Sequence, residues 1–408
     1  MLDWEKIYAS RAKRMGASEI RELLKLLEQP DIISFAGGIP DPALFPADAF
    51  QAAYSDILSG PEAGAALQYS ISEGYPRLRE WIVKRMQARG IECTIDNIFI
   101  TSGSQQGLDY LGKMFLSPGD TALVTWPTYL GALQAFNAYE PRYEKLDIKG
   151  NTTPQAYAAD AQMNGSKIKF AYLSADFANP TGESLTLEER ERLLDLAEEL
   201  DVAVIEDAAY RALRYDGERQ KTLLTLDCER SGGIENTRTL YCGSFSKTLS
   251  PGLRVGWVCA AKPIIRRLVL AKQAADLHSP TINQMAIARV AESYFNAQAE
   301  KIGKVYKERR DAMLASLARH MPAGVTWTRP EGGMFVWITL PETMDAAALL
   351  QLSLKTAKVA FVPGQAFYAD GTGANHMRLS FSCAEPAMID EGIGRLGSLL
   401  SNQLSAAA

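Results

Sequence analysis

Cysteine is scarce in this chain: five in 408 residues, Cys93, Cys228, Cys242, Cys259 and Cys383. The number is odd, the spacing is scattered and no Cys-x-x-Cys pair occurs, which argues against a zinc site or a disulfide framework. Such usage fits a reducing compartment, so a cytoplasmic protein is expected. Positive charge is not in surplus either. Lys and Arg number 43 against 48 Asp and Glu, a formal net charge of -5. That balance speaks against nucleic acid or an anionic membrane surface as a partner. No run of about 18 apolar residues is present, so no membrane span is expected. The opening stretch, MLDWEKIYASRAKRM, lacks the apolar core of a signal peptide. Repeats and low-complexity tracts are also missing. What remains is 47% hydrophobic and 22% charged, the composition of a soluble globular protein with material for a large core.

The apolar pattern gives the organisation. Ile20, Leu23, Leu24 and Leu27 share one helical face after the N-cap candidate Ser18. The Gly- and Pro-rich SFAGGIPDPALFP that follows reads as an ordered loop. A helix is predicted from Pro76 to Arg89, with Pro in its first turn and Gly90 after its end. From about residue 96, strands alternate with helices. Ile98–Thr101, Ala122–Thr125, Phe170–Leu173, VAVIED (202–207), TLYCGSF (239–245) and VGWVCA (255–260) read as strands. Helices are expected at Ser104–Phe115, after Tyr129, and at Thr186–Leu200, where Thr186 and Glu189 form a capping box. Continuous apolar strands are those of a parallel sheet covered on both faces. The alternation therefore predicts an α/β fold with a large three-layer α/β/α domain, its sheet mostly parallel. After a long helix at about 281–320, short strands and a helix near 345–357 predict a smaller α+β domain. The expected division is 46–289 for the large domain, with 1–45 and 290–408 together forming the small one. The segment 227–238 reads as an internal loop.

Four stretches carry chemistry. Gly243-Ser244-Phe245-Ser246-Lys247-Thr248 follows a strand, and Arg254 comes seven residues after the lysine. Two hydroxyls, an amine and a guanidinium make an anion site with a nucleophile inside it. The plain alternative is a surface loop with a solvated lysine. Asp176-Phe177-Ala178-Asn179-Pro180-Thr181-Gly182 is by composition a turn after a strand. Asp207 ends a buried strand and Tyr210 follows it; a carboxylate there needs a partner, which backbone amides alone could supply. Thr101-Ser102-Gly103-Ser104-Gln105-Gln106 joins a strand to a helix whose first amides suit a phosphate.

In order and spacing these stretches resemble the class I aminotransferases, fold-type I enzymes that use pyridoxal 5'-phosphate. The resemblance runs from about Ile20 to Phe381 and rests chiefly on ANPTG and SFSKTLSPGLR, with SGSQQGLD, EDAAYRAL and HMRLSFS in support. The loops and ASEIRELLKL are most similar to the 2-aminoadipate and kynurenine aminotransferase branch. The resemblance implies a role for each matching residue. Lys247 would bind the cofactor as a Schiff base and later move a proton at substrate Cα. Asp207 would pair with the pyridine nitrogen and keep the ring an electron sink. Asn179 and Tyr210 would bond the ring 3' oxygen, and Tyr129 would stack on the ring. Ser104, Gln105, Ser244, Ser246 and Arg254 would hold the phosphate. Tyr69 would reach it from a second subunit, which implies an obligate homodimer with a shared active site. Arg378, with Asn179 and the Gly38 backbone beside it, would grip the substrate α-carboxylate. Arg21, which also reads as part of a solvated helix face, would meet a distal carboxylate.

The implied reaction moves an amino group between L-amino acids and 2-oxo acids. Glutamate and 2-oxoglutarate would form one pair, and a 2-aminoadipate, aromatic, kynurenine or branched-chain amino acid would supply the other. Two rivals stand beside it. One keeps the cofactor but performs β-elimination or decarboxylation. The other is an effector-sensing domain without catalysis, disfavoured because fewer than 20 residues precede the matched region and none of the chemical groups is missing. Ala178, where many relatives carry Gln, and Ser174-Ala175, where a Pro-containing pair is usual, depart from the family pattern.

Overall fold

A computed structural model describes residues 2–16 and 31–407. Its centre is a seven-stranded sheet in the order β2-β8-β7-β6-β5-β3-β4. These strands are β2 (Ile98–Thr101), β3 (Thr121–Val124), β4 (Arg142–Lys145), β5 (Ile168–Leu173), β6 (Ala203–Asp207), β7 (Thr239–Ser244) and β8 (Gly256–Cys259). All run parallel except β8, which is antiparallel to both β2 and β7. β2, β3 and β7 are buried at every position, as their unbroken apolar runs require. Helices pack on both faces, giving the expected three layers.

β1 (Ile33–Ser34) lies outside this sheet and pairs with β11 (Val359–Ala360). A four-stranded antiparallel sheet, ordered β12-β13-β10-β9, joins β9 (Thr326–Trp327), β10 (Phe335–Thr339), β12 (Val362–Pro363) and β13 (His376–Ser380). A 40-residue helix, Thr281–His320, connects the two regions. Its early part packs into the core beside the large sheet through Met285, Ile287 and Phe295. Its later part joins Phe335, Val336 and Phe381 in the core of the small sheet through Ile302, Tyr306 and Met313. No described helix is long and apolar enough to cross a membrane.

The capping box forms as the sequence predicts. Thr186 Oγ1 accepts the Glu189 amide at 3.2 Å, and Glu189 Oε2 accepts the Thr186 amide at 2.8 Å. The segment 227–238, expected to be a loop, is largely helical instead. A helix spans Leu223–Ser231, capped by Thr222 and closed by Gly232 in the left-handed region, and a short 3-10 turn follows at Ile234–Asn236. The cause is burial of the helix's first six residues, Leu223, Leu224, Leu226 and Cys228 among them. Asp227 is buried with them, because its Oδ2 accepts the amides of Arg238 and Thr239. The helical residues at 17–30 expected from Ile20, Leu23, Leu24 and Leu27, Arg21 among them, lie outside the described residues.

Candidate active site

In an open α/β sheet, ligands bind outside the carboxyl ends of the strands. The turn 102–105 follows β2 there, Asn179 follows β5, Asp207 ends β6 and Lys247 follows β7. The single reversed strand adds to the same edge from its amino end. Gly256 pairs with both Thr101 and Ser244, so the preceding residue pair, Arg254 and Val255, arrives where the other strands finish.

Asp207 is a buried charged group of the site. Its Oδ2 accepts a hydrogen bond from the Tyr172 hydroxyl at 2.9 Å, and its Oδ1 a long one from the Ala209 amide at 3.4 Å. Burial raises its pKa to about 6, while Tyr172, Ala209 and the charge of Lys247 pull it down. No described cation lies within ion-pairing distance of it. The Lys247 ammonium donates to the Gly38 carbonyl at 3.1 Å and lies 5.7 Å from the centre of the Tyr210 ring. Burial, then the charges of Arg378 and Arg254, lowers its pKa to about 8.

Arg378 lies in β13, an interior strand of the small sheet, and is 1% exposed. Its Nη1 donates to Asn179 Oδ1 and its Nη2 to the Ala36 carbonyl, both at 2.8 Å. Its plane covers Phe335 at 4.3 Å. Nε is buried without a partner among the described residues, and burial lowers the guanidinium to about 10. Gly38 closes in from the N-terminal loop; a Cβ there would meet Phe335 at 3.2 Å and Arg378 Nη2 at 3.5 Å. Asn179 Nδ2 also points to the Tyr210 hydroxyl, at 3.5 Å.

The anion cup is built at the start of the helix Ser104–Phe115. The first amides of a helix have no partner inside it, and those of Ser104 and Gln105 have no acceptor among the described residues. Arg254 lies across this turn, with Nη2 on the Ser102 carbonyl at 3.3 Å. It fits because Gly103, at φ +83°, has no side chain: a Cβ would stand 2.2 Å from Arg254 Nη2. Ser246 donates its amide to Ser244 Oγ at 3.1 Å. Tyr129 directs its hydroxyl to Gln105 Oε1 at 3.5 Å.

Tyr69 stands apart from this group. It is 79% exposed and touches His278 edge-on at 5.9 Å. Two supports escaped the sequence reading. Tyr172, behind Asp207, looks like any core aromatic of an apolar strand. Under the anion cup, Lys272 is fully buried and donates to Gln106 Oε1 at 2.8 Å and Asp276 Oδ1 at 2.9 Å. Gln106 Oε1 also accepts the Ser102 amide, which fixes the turn. The i,i+4 spacing of Lys272 and Asp276 was the available signal.

These residues fit pyridoxal phosphate on three independent counts. An amine of lowered pKa suits an aldehyde. A buried carboxylate with no cation beside it suits a protonated ring nitrogen. Free helix-start amides under an arginine suit a phosphate.

Residues 32–396 match the family "Aminotransferase class I and II". The chain is 42% identical to aromatic-amino-acid aminotransferase 1 of Thermococcus litoralis, over 99% of this chain and 96% of the relative. Two solved structures superpose over nearly their whole length. The alpha-aminoadipate aminotransferase of Thermus thermophilus, complexed with N-(5'-phosphopyridoxyl)-L-leucine, has a TM-score of 0.88 at 40% identity, covering 99% of this chain and 100% of that one. The kynurenine aminotransferase of Pyrococcus horikoshii has a TM-score of 0.90 at 43% identity, covering 98% of each. Elimination, decarboxylation and a purely effector-sensing role are not favoured by these likenesses.

Proposed function

Since the chain belongs to the class I and II aminotransferases and is an enzyme of pyridoxal phosphate-dependent amino-group transfer, we propose that it exchanges the amino group between glutamate and an aromatic, kynurenine-like or 2-aminoadipate-like partner. The substrate names of the Thermococcus, Pyrococcus and Thermus relatives support that range. The observation that carries the reading is one arrangement: the buried Lys247 amine, 3.1 Å from the Gly38 carbonyl and 5.7 Å from the centre of the Tyr210 ring, feels the charges of both the buried Asp207 and the Arg378 guanidinium.

When bound, pyridoxal phosphate supplies an electron sink for the bond being broken at substrate Cα. The chain does the rest. Ser104, Gln105, Ser244, Ser246 and Arg254 hold the phosphate. Asp207 would keep the ring nitrogen protonated, Asn179 and Tyr210 would hold the 3' oxygen, and Tyr129 would lie against the ring. Arg378 fixes the substrate α-carboxylate, helped by Asn179 and the Gly38 backbone. Its buried Nε, unpartnered among the described residues, offers a further donor. Lys247 Nζ, on a flexible stem, would take and hold the proton from substrate Cα. Tyr69, exposed on its own chain, completes the phosphate cup of a second copy in a homodimer. The free state of all five cysteines supports a cytoplasmic setting.

A panel of L-amino acids with 2-oxoglutarate, scored by glutamate formed, tests the reading. Aromatic, kynurenine and 2-aminoadipate donors should lead; glutamate formation from none of them would sink the substrate assignment. Within the same panel, Arg21→Ala should raise KM for 2-aminoadipate and leave aromatic donors unchanged. An equal effect on both would remove Arg21 from the distal carboxylate.

Tyr172 should matter to catalysis without touching substrate. It is a positioning residue, because its hydroxyl stabilises the ionised form of Asp207. In Tyr172→Phe, the Asp207 pKa rises further, so the acid limb of the kcat/KM profile should move to higher pH. A variant that merely loosened the fold would lower activity and leave that limb where it is.

A further inference from the structure

Away from the active site, the helix Pro76–Gln87, the helix Thr281–His320 and the loop 211–220 enclose a hollow of about 400 Å³. Five cations line it, Arg85, Arg214, Arg219, Lys304 and Lys307, against one carboxylate, Glu300. Three of the five are matched. Lys304 pairs with Glu300 at 2.9 Å, Lys307 with Asp216 at 2.9 Å and Arg214 with Glu331 at 2.8 Å. Arg85 and Arg219 have no ion-pair partner among the described residues. The Arg85 guanidinium rests 4.0 Å from the centre of the Phe295 ring, and a long bond to Asn296 Oδ1, 3.5 Å, completes its polar contacts.

Like charges stand behind this pair. Burial and then Arg89 push Arg85 down to about 10. Burial and then Arg211, Arg89 and Arg214 lower Arg219. Asp176 offsets part of this from its pairs with Arg211 and Arg214, but the cations outnumber it, and an anion seated between Arg85 and Arg219 would relieve the remaining repulsion.

The wall of the hollow carries an independent sign. Gly303 lies in the interior of the 40-residue helix, where glycine is less favourable than alanine. Packing does not demand it, since a Cβ there would meet Tyr215 Cδ1 at 3.9 Å, an ordinary contact. What its missing side chain does provide is space in front of the cations.

We propose that this hollow is a binding site for a small polyanion, a compound bearing two or more phosphate or carboxylate groups. Arg85 and Arg219 are its principal donors, and Gly303 keeps it open. Guanidinium forks bond such groups in bidentate fashion. The site is separate from the catalytic one and does not depend on which amino acid the enzyme uses.

The test is calorimetric titration of the cofactor-loaded enzyme, whose phosphate cup is already filled, with tripolyphosphate and separately with citrate at an ionic strength of about 0.1 M. Saturable binding of at least one of them is expected, at one site per chain. Preference for tripolyphosphate identifies a phosphate-bearing ligand, and preference for citrate a polycarboxylate. Arg219→Gln, at an exposed position, should weaken binding by about tenfold or more. Gly303→Glu, which puts a carboxylate in the hollow and improves helix propensity, should abolish it. Both variants should keep wild-type transaminase activity, which shows that they fold. Binding of neither anion, or binding that neither variant weakens, overturns the proposal.

Discussion

Lys247→Ala should lower turnover by on the order of 10²–10⁴-fold through loss of the proton-transferring group alone. The direct measurement is exchange of the substrate Cα proton with solvent, followed by NMR at saturating cofactor. Exchange should cease in Lys247→Ala, and an added small primary amine should restore part of it, because the truncated side chain leaves room for one. Lys247→Arg keeps a cation but holds its proton at every working pH, so it should be as slow and resist rescue. Exchange at the wild-type rate in Lys247→Ala would remove this residue from the proton path. The wild-type amine should also betray its environment. Its pKa is lowered to about 8, so its neutral, nucleophilic fraction grows as pH rises through 8 rather than through the ordinary lysine range. Cofactor capture by the cofactor-free chain should accelerate with a midpoint near pH 8 and level off about one pH unit above it.

Asp207→Asn should separate function from stability. The carboxylate is buried with its pKa raised from 3.8 to about 6. The folded chain therefore binds a proton at Asp207 more tightly than the unfolded chain does. Below pH 3.8 both states are protonated and nothing is lost. As pH rises through 6, the folded state must ionise a buried acid, and stability falls by up to about 3 kcal/mol. Asparagine carries no such charge. Without cofactor, Asp207→Asn should thus melt higher than the wild type at pH 8, with the gap closing towards pH 4. With cofactor, turnover should fall on the order of 10²–10³-fold, the usual cost of removing one preorganised electrostatic contact. A melting temperature at pH 8 equal to or below the wild type in the cofactor-free variant would show that the carboxylate is better satisfied than its surroundings suggest.

Much of this could be read from residues alone, for a physical reason. β2, β3 and β7 are buried at every position and mostly apolar because both their faces are covered, so they announce themselves. Lys247, Asp207 and Asn179 each follow or end such a strand, and strand ends of a parallel sheet share one edge. What stayed hidden depends on partners distant in sequence. Tyr172 bonds Asp207 across adjacent strands, 35 residues away, and no local spacing marks it. Residue pattern does not encode strand direction, so the reversal of β8 that delivers Arg254 could not be foreseen. The polar letters of Asp227, Glu229 and Arg230 disguised a helix whose buried stretch begins upstream, at Leu223.

The contacts that complete the substrate grip also fix when it can exist. Lys247 meets Gly38 across 209 residues, and Arg378 meets Ala36 across 342. Chains fold as they leave the ribosome, amino end first. The large sheet can form once β8 has emerged, and the anion cup with it. The loop around Ala36, already met by Lys247 at Gly38 and by β11 at β1, gains its Arg378 anchor only when β13 has been made. A nascent chain arrested before Arg378 would hold the cofactor's phosphate site without the means to grip a substrate, so binding competence arrives only in the last stretch of synthesis.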